Sequence, residues 1–185
     1  MKQFAARMVP LLALVAVIWI VESVGTVTGH GLTGYGIRPR TLAGLVGVPI
    51  APFVHASAAH AASNTVPLLI LGGLISATSR RFWLITVTAI LVGGGLTWAL
   101  ARGTGTIHVG ASGLVFGYFG YLVVRGLVDR RLVPVVMALG VALVYGGLVF
   151  GLVSGGPMIS FESHIFGFVA GTVAALAQRP RRYIR

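Results

Sequence analysis

The chain has no cysteine and only three carboxylates, Glu22, Asp129 and Glu162. The first absence excludes disulfides, thiolate catalysis and cysteine-ligated zinc. The second leaves few oxygens that could ligate a metal. With five scattered histidines and no HExxH, no metal-ligating set is expected either. Gly103 and Gly105 make no phosphate loop, since no lysine follows at the required spacing. The hydrolase elbow GxSxG is missing too, because Leu114 stands where its second glycine belongs. Nothing here calls for a cofactor. Charge of any kind is scarce: 9% of residues are charged, where soluble domains carry about 25%.

What fills the chain is apolar. Of its 185 residues, 56% are hydrophobic, and the mean hydropathy is +0.95. That composition predicts an all-α membrane protein, and the length suits one domain, 1–185. Six apolar segments read as helices, at about 8–28, 58–78, 82–100, 112–124, 134–153 and 164–178. The first could be a signal peptide. No small-x-small cleavage site follows it and the rest of the chain is equally apolar, so a first transmembrane helix is the better reading. Residues 29–58 are broken by glycine and proline yet remain apolar, which predicts a first loop partly embedded beside the helices.

The net charge of +11 would suggest nucleic acid in a soluble protein. Topology explains it better and removes nucleic acid from the expected partners. With the N-terminus in the cytoplasm, Lys2, Arg7, Arg80, Arg81, Arg125, Arg130, Arg131, Arg179, Arg181, Arg182 and Arg185 lie inside. Arg38, Arg40 and Arg102 lie outside. Both termini are then cytoplasmic, and the second, fourth and sixth helices start on the outer side.

Those three starts carry the polar residues. His60 and Asn64 open the second helix one turn apart, Ser112 opens the fourth, and His164 opens the sixth. At 1.5 Å per residue, Ser112 is roughly 20 Å of helix from Arg125 and His164 roughly 22 Å from Arg179. In a hydrocarbon layer of about 30 Å both sit on the order of 10 Å below the outer surface. The two helices are too short to span fully, so water must reach their outer ends.

Serine needs an adjacent base to act as a nucleophile, and histidine is the usual one. Their helices must therefore touch. Gly113, Gly117 and Gly120 line one face of the fourth helix, and His164, Gly167 and Gly171 one face of the sixth. Small-residue faces let backbones approach. Ordinary packing faces with an incidental Ser and His are the bland alternative. Acyl transfer also needs donors for the oxyanion, and Asn64, costly toward lipid, should point inward beside His60. Two acids invite a partner. Glu22, inside the first helix, is expected to pair with Arg38 or Arg40 or to snorkel; Glu162 could orient the His164 imidazole, though a Ser–His dyad is the simpler arrangement.

Together these residues resemble the rhomboid intramembrane serine proteases, in the minimal six-helix bacterial form. The resemblance rests on Gly110-Ala111-Ser112-Gly113, on His164 with Gly167 and Gly171, and on His55, His60 and Asn64 in the spacing HxxxxHxxxN. It implies a six-transmembrane-helix bundle with Ser112 as nucleophile and His164 as general base. His60, Asn64 and the Ser112 backbone N–H would line the oxyanion hole, with Gly110, Gly113, Phe116, Gly117, Gly167 and Gly171 as supporting packing. Phe116 falls where the family often packs an aromatic on the histidine. The partners implied are the bilayer and transmembrane segments of substrate proteins, cleaved at the extracytoplasmic side without metal or cofactor. Arg38-Pro39-Arg40 departs from the Trp-Arg motif that some members carry in the first loop. Two rivals remain: a silent relative that binds transmembrane helices, and a small transporter, which would call for an internal repeat and midplane charges.

Overall fold

The computed structural model describes residues 2–103, 105–144 and 161–178. The second half of the fifth expected helix, the connection after it up to Ser160, and the arginines after Gln178 lie outside the described residues.

The described elements are α1 (Lys2–Val27), α2 (Leu42–Ile50), α3 (Ala58–Thr78), α4 (Phe82–Thr88), α5 (Gly94–Leu100), α6 (Ser112–Asp129), α7 (Leu132–Val144) and α8 (Phe161–Ala177). A single π turn, Ala89–Gly93, joins α4 to α5 into one continuous rod. Apart from one antiparallel bridge pair, Ile37 with His108, the regular structure of the described residues is helical.

Among the described residues three helices are long and apolar enough to cross a membrane: Gln3–Val27, Ala58–Thr78 and Phe82–Leu100. α8, with 17 residues, is apolar but shorter. α6 runs five residues past the expected end, carrying Arg125 and Asp129 on its last turns. An i, i+4 ion pair of 2.8 Å between those two lets the helix continue where charge alone suggested a loop.

Apolar side chains fill both the interior and the outer surface. Leu11, Leu14 and Ile18 of α1 are buried with Leu68, Leu71 and Ile75 of α3, and with Leu114, Val115 and Tyr118 of α6. Outward, Leu12, Val17, Ile20, Val66, Leu84 and Leu91 are exposed, a surface suited to acyl chains. One buried polar pair is satisfied internally: the Tyr118 hydroxyl and Thr86 Oγ1 lie 2.7 Å apart.

The first loop is more ordered than its composition suggests. It folds into a 3-10 turn at Gly31–Tyr35, then α2, then a second 3-10 turn at Ala51–Phe53. Thr41 caps α2 by accepting from the Gly44 N–H at 3.0 Å. The glycines that break the helical pattern in the sequence are there for approach: a Cβ on Gly44 would strike the backbone of Arg38, and one on Gly47 that of Gly36. Val48 and Ala51 are buried with Ile37, and the Trp98 indole donates to the Thr41 carbonyl at 2.8 Å. The loop is thereby fastened to α5 and to the segment that leads into α6.

Candidate active site

Ser112 is the first residue of α6, but Ala111 occupies the cap position and no side chain caps the helix. The common use of a serine at such a place, to close the first turn, is not its use here. The first N–H groups of α6 have no partner within their own helix and point to where Ser112 begins.

The segment entering α6 can only take its path with glycine at 110, for two reasons. Its φ is +106°, and a Cβ there would stand 2.7 Å from His60 Cε1, 2.9 Å from His60 Nε2 and 3.5 Å from Asn64 Nδ2. α3 thus brings both polar residues against the backbone two residues before Ser112. They are held there locally. Ser57 caps α3 by accepting from the His60 N–H at 3.1 Å, and the Asn64 amide donates to the His60 carbonyl at 3.2 Å.

Behind them stands His55, 2% exposed, whose Nε2 accepts the Ala111 N–H at 3.1 Å. Its ring meets that of His60 edge-on, with centroids 5.0 Å apart. Burial pushes the His55 pKa down to about 4, the nearby His60 pushes the same way, and Glu22 opposes. The ring therefore stays neutral at neutral pH, as an acceptor must. This clamp fixes the peptide just upstream of Ser112.

From the other side comes α8. His164, 7% exposed, stacks on Phe116 with ring centroids 4.4 Å apart and planes within 18° of parallel. Phe116 is one turn below Ser112 on the same face of α6. The two helices meet backbone to backbone. A Cβ on Gly167 would collide with the Gly113 carbonyl, one on Gly171 with the Gly117 carbonyl, and one on Gly120 with the Phe168 carbonyl. Gly117 also faces Ala89 across the π turn.

A small open cleft exposes Ser112, with Gly110, Gly113, Gly167, His108 and Ser163 on its wall. His164, His60 and Asn64 are not on that wall; they bear on the backbone and side chains that are.

A profile of the rhomboid domain matches residues 40–181. The chain belongs to the rhomboid family. Its similarity to an uncharacterised protein of Mycobacterium tuberculosis is 40% identity over 95% of this chain and 77% of the relative. An uncharacterised protein of Mycobacterium leprae is 36% identical, over 96% of this chain and 74% of its own length. Rhomboids are multi-pass membrane proteins, in general serine proteases acting on transmembrane segments, with inactive relatives among them. The fold of this rhomboid is the all-α membrane bundle expected.

Both acids take partners other than those considered in the sequence. Glu22, 2% exposed, accepts from His30 at 3.1 Å and not from Arg38 or Arg40; the latter's guanidinium donates to the Ala101 carbonyl at 2.6 Å. Glu162 does not orient His164. It pairs with Arg102 Nε at 2.9 Å and ties the loop before α6 to the first turn of α8.

His108 escaped the sequence reading. It is 6% exposed, lies on the cleft wall, and has ring nitrogens 3.4 Å from Ser163 Oγ and 3.3 Å from Thr106 Oγ1. Burial lowers its pKa, with Glu162 opposing. The available signal was its position four residues before Ser112, too slight without the loop's path.

Proposed function

We propose that this rhomboid is an intramembrane serine endopeptidase working through a Ser112–His164 dyad. His164 Nε2 or Nδ1 takes the Ser112 Oγ proton as the oxygen attacks a scissile carbonyl. The proton then passes to the leaving amine as the peptide C–N bond breaks. Water, activated by the same imidazole, releases the acyl group and restores the serine. His60, Asn64 and the backbone N–H of Ser112 serve as donors to the oxyanion.

The observation that carries this reading is the stack of His164 on Phe116 across a glycine seam, with Phe116 one turn from an uncapped Ser112. In unliganded hydrolases catalytic contacts are often long and tighten on substrate binding. The substrate class follows from the lipid setting. A membrane helix has its backbone groups bonded internally, so it must unwind before Ser112 can reach a carbonyl. Helix-breaking residues near the bilayer surface favour that. We further infer that the termini are cytoplasmic and that the cleft opens to the extracytoplasmic side, on the distribution of arginines.

The test is labelling of detergent-purified protein with a fluorophosphonate, together with cleavage of a transmembrane reporter. Wild type should label and cleave; Ser112→Ala should do neither while remaining inserted and folded. An unreactive wild type that still binds transmembrane helices would favour a silent relative instead.

A further inference from the structure

At the end of the bundle opposite Ser112, roughly 27 Å away along the 18 residues of α6, lies a second cavity. It is polar, open to solvent and about 970 Å3 in volume. Arginines from three separate segments line it: Arg80 and Arg81 from the turn between α3 and α4, Arg125 from α6, and Arg131 from the turn between α6 and α7.

Asp129, the one carboxylate among the described lining residues, is already held by Arg125 Nε at 2.8 Å, and Arg125 Nη1 donates to the Gln178 carbonyl at 2.8 Å. Among the described residues, the guanidiniums of Arg80, Arg81 and Arg131 have no acceptor. Three unpaired forks thus border one space whose other described lining residues, beside the Arg125–Asp129 pair, are uncharged, with hydroxyls from Thr78, Ser79 and Tyr121. A topological excess of arginine explains the sign of the charge, but it does not require three segments to converge on one cavity.

We propose that this cavity binds the phosphate-bearing headgroup of an anionic phospholipid. Guanidinium forks match phosphate oxygens in pairs, and basic pockets between membrane helices are suited to such headgroups. The surroundings favour an amphiphile over free phosphate. Arg81 is followed in sequence by Phe82, Trp83 and Leu84, and Arg131 by Leu132 and Val133. Trp83 and Leu84 are about half exposed, and Leu132 and Val133 are each 71% exposed. Acyl chains laid on these side chains would leave the headgroup at the arginines. A bound headgroup would also bridge the inner ends of α6 and α8, through Arg125 and Gln178.

The test uses the full chain in zwitterionic nanodiscs or mixed micelles, titrated with phosphatidylglycerol. Native mass spectrometry reads the retained lipid and thermal unfolding reads the stabilisation. Wild type should retain phosphatidylglycerol in preference to phosphatidylcholine and gain melting temperature saturably. Arg81→Gln with Arg131→Gln should bind roughly thirtyfold more weakly, two surface charges at the usual worth. Arg81→Lys with Arg131→Lys, which keeps charge and fold but loses the fork, should fall between. Arg102→Gln, at the other end of the molecule, should bind as wild type does. A separate arm adds inorganic phosphate or glycerol phosphate without lipid; equal stabilisation there overturns the lipid in favour of the free anion. Equal retention by wild type and the double Gln variant, or no preference over phosphatidylcholine, overturns the site. None of these readouts depends on proteolysis, so the site and the protease reading fail separately.

Discussion

Ser112 and His164 are expected to stand or fall together. Ser112→Ala and His164→Ala should each abolish cleavage of a transmembrane reporter, and the double variant should be no worse than either single, because groups acting as a unit are not additive. Full cleavage by either single variant removes the dyad. His55 bears on stability instead. Its pKa is depressed from 6.5 to about 4, so between those values the unfolded chain binds the extra proton. The stabilisation is complete above about pH 6.5 and is lost as the pH falls toward 4. His55→Gln keeps an acceptor for the Ala111 N–H without titrating, so its melting temperature should decline less steeply across that window. Parallel declines would take His55 out of the acid response. At this scale the sequence singled out polar residues at the starts of apolar helices, and the structure sets His60 and Asn64 against Gly110 and His164 against Phe116, the two sides of Ser112. Partners were less legible. Glu22 finds His30 because the chain turns back after α1, with His30 at a φ of 58°, and nothing in local spacing announces that turn.

Among elements, α3 and the α4–α5 rod kept the expected bounds, since long apolar runs between arginines leave little freedom. α2 was illegible: its glycines and proline argue against a helix, and only contacts with Gly36 and Arg38 explain them. The small-residue faces of α6 and α8 were legible as faces, but the sequence could not say which glycines are indispensable. Gly167→Val should lose most proteolysis and probe labelling, since added bulk in packed regions costs typically 1–3 kcal/mol and a displacement of about 1 Å can cost on the order of 100-fold in rate. The control is Gly95→Val, because Gly95 has nothing within 4 Å of a Cβ. Gly93 and Gly94, beside it, are unsuitable. Gly93 faces the Gly167 backbone, and Gly94 faces Val48. If Gly167→Val cleaves as wild type does while Gly95→Val also does, the α6–α8 seam has no part in positioning His164.

For the whole molecule, orientation is the open consequence of the charge pattern, and the absence of cysteine makes it simple to test. Gly105→Cys, in the exposed loop before α6, should react with a membrane-impermeant thiol reagent added outside intact cells. Arg130→Cys, at the far end of α6, should not. The reverse pattern puts the Ser112 cleft on the cytoplasmic side. Gly156, another natural choice for the outer probe, lies outside the described residues.

The glycine seam also constrains how this protein can vary. Carbonyl oxygens of one helix rest where side chains of the other would begin, so there is no rotamer to readjust when a neighbour changes. Mutational tolerance along the seam should be stepwise and lopsided. Alanine at Gly167 or Gly171 meets a carbonyl and should inactivate, whereas alanine at Gly113 would find the Ser163 carbonyl at 3.4 Å and Ser163 Cβ at 3.8 Å, and should be borne. A saturation library selected for reporter cleavage would then show two blank columns in α8 beside a permissive one in α6. Compensating second-site changes for the blank columns should be almost undiscoverable, because the obstructing atoms belong to the main chain, which no substitution can trim.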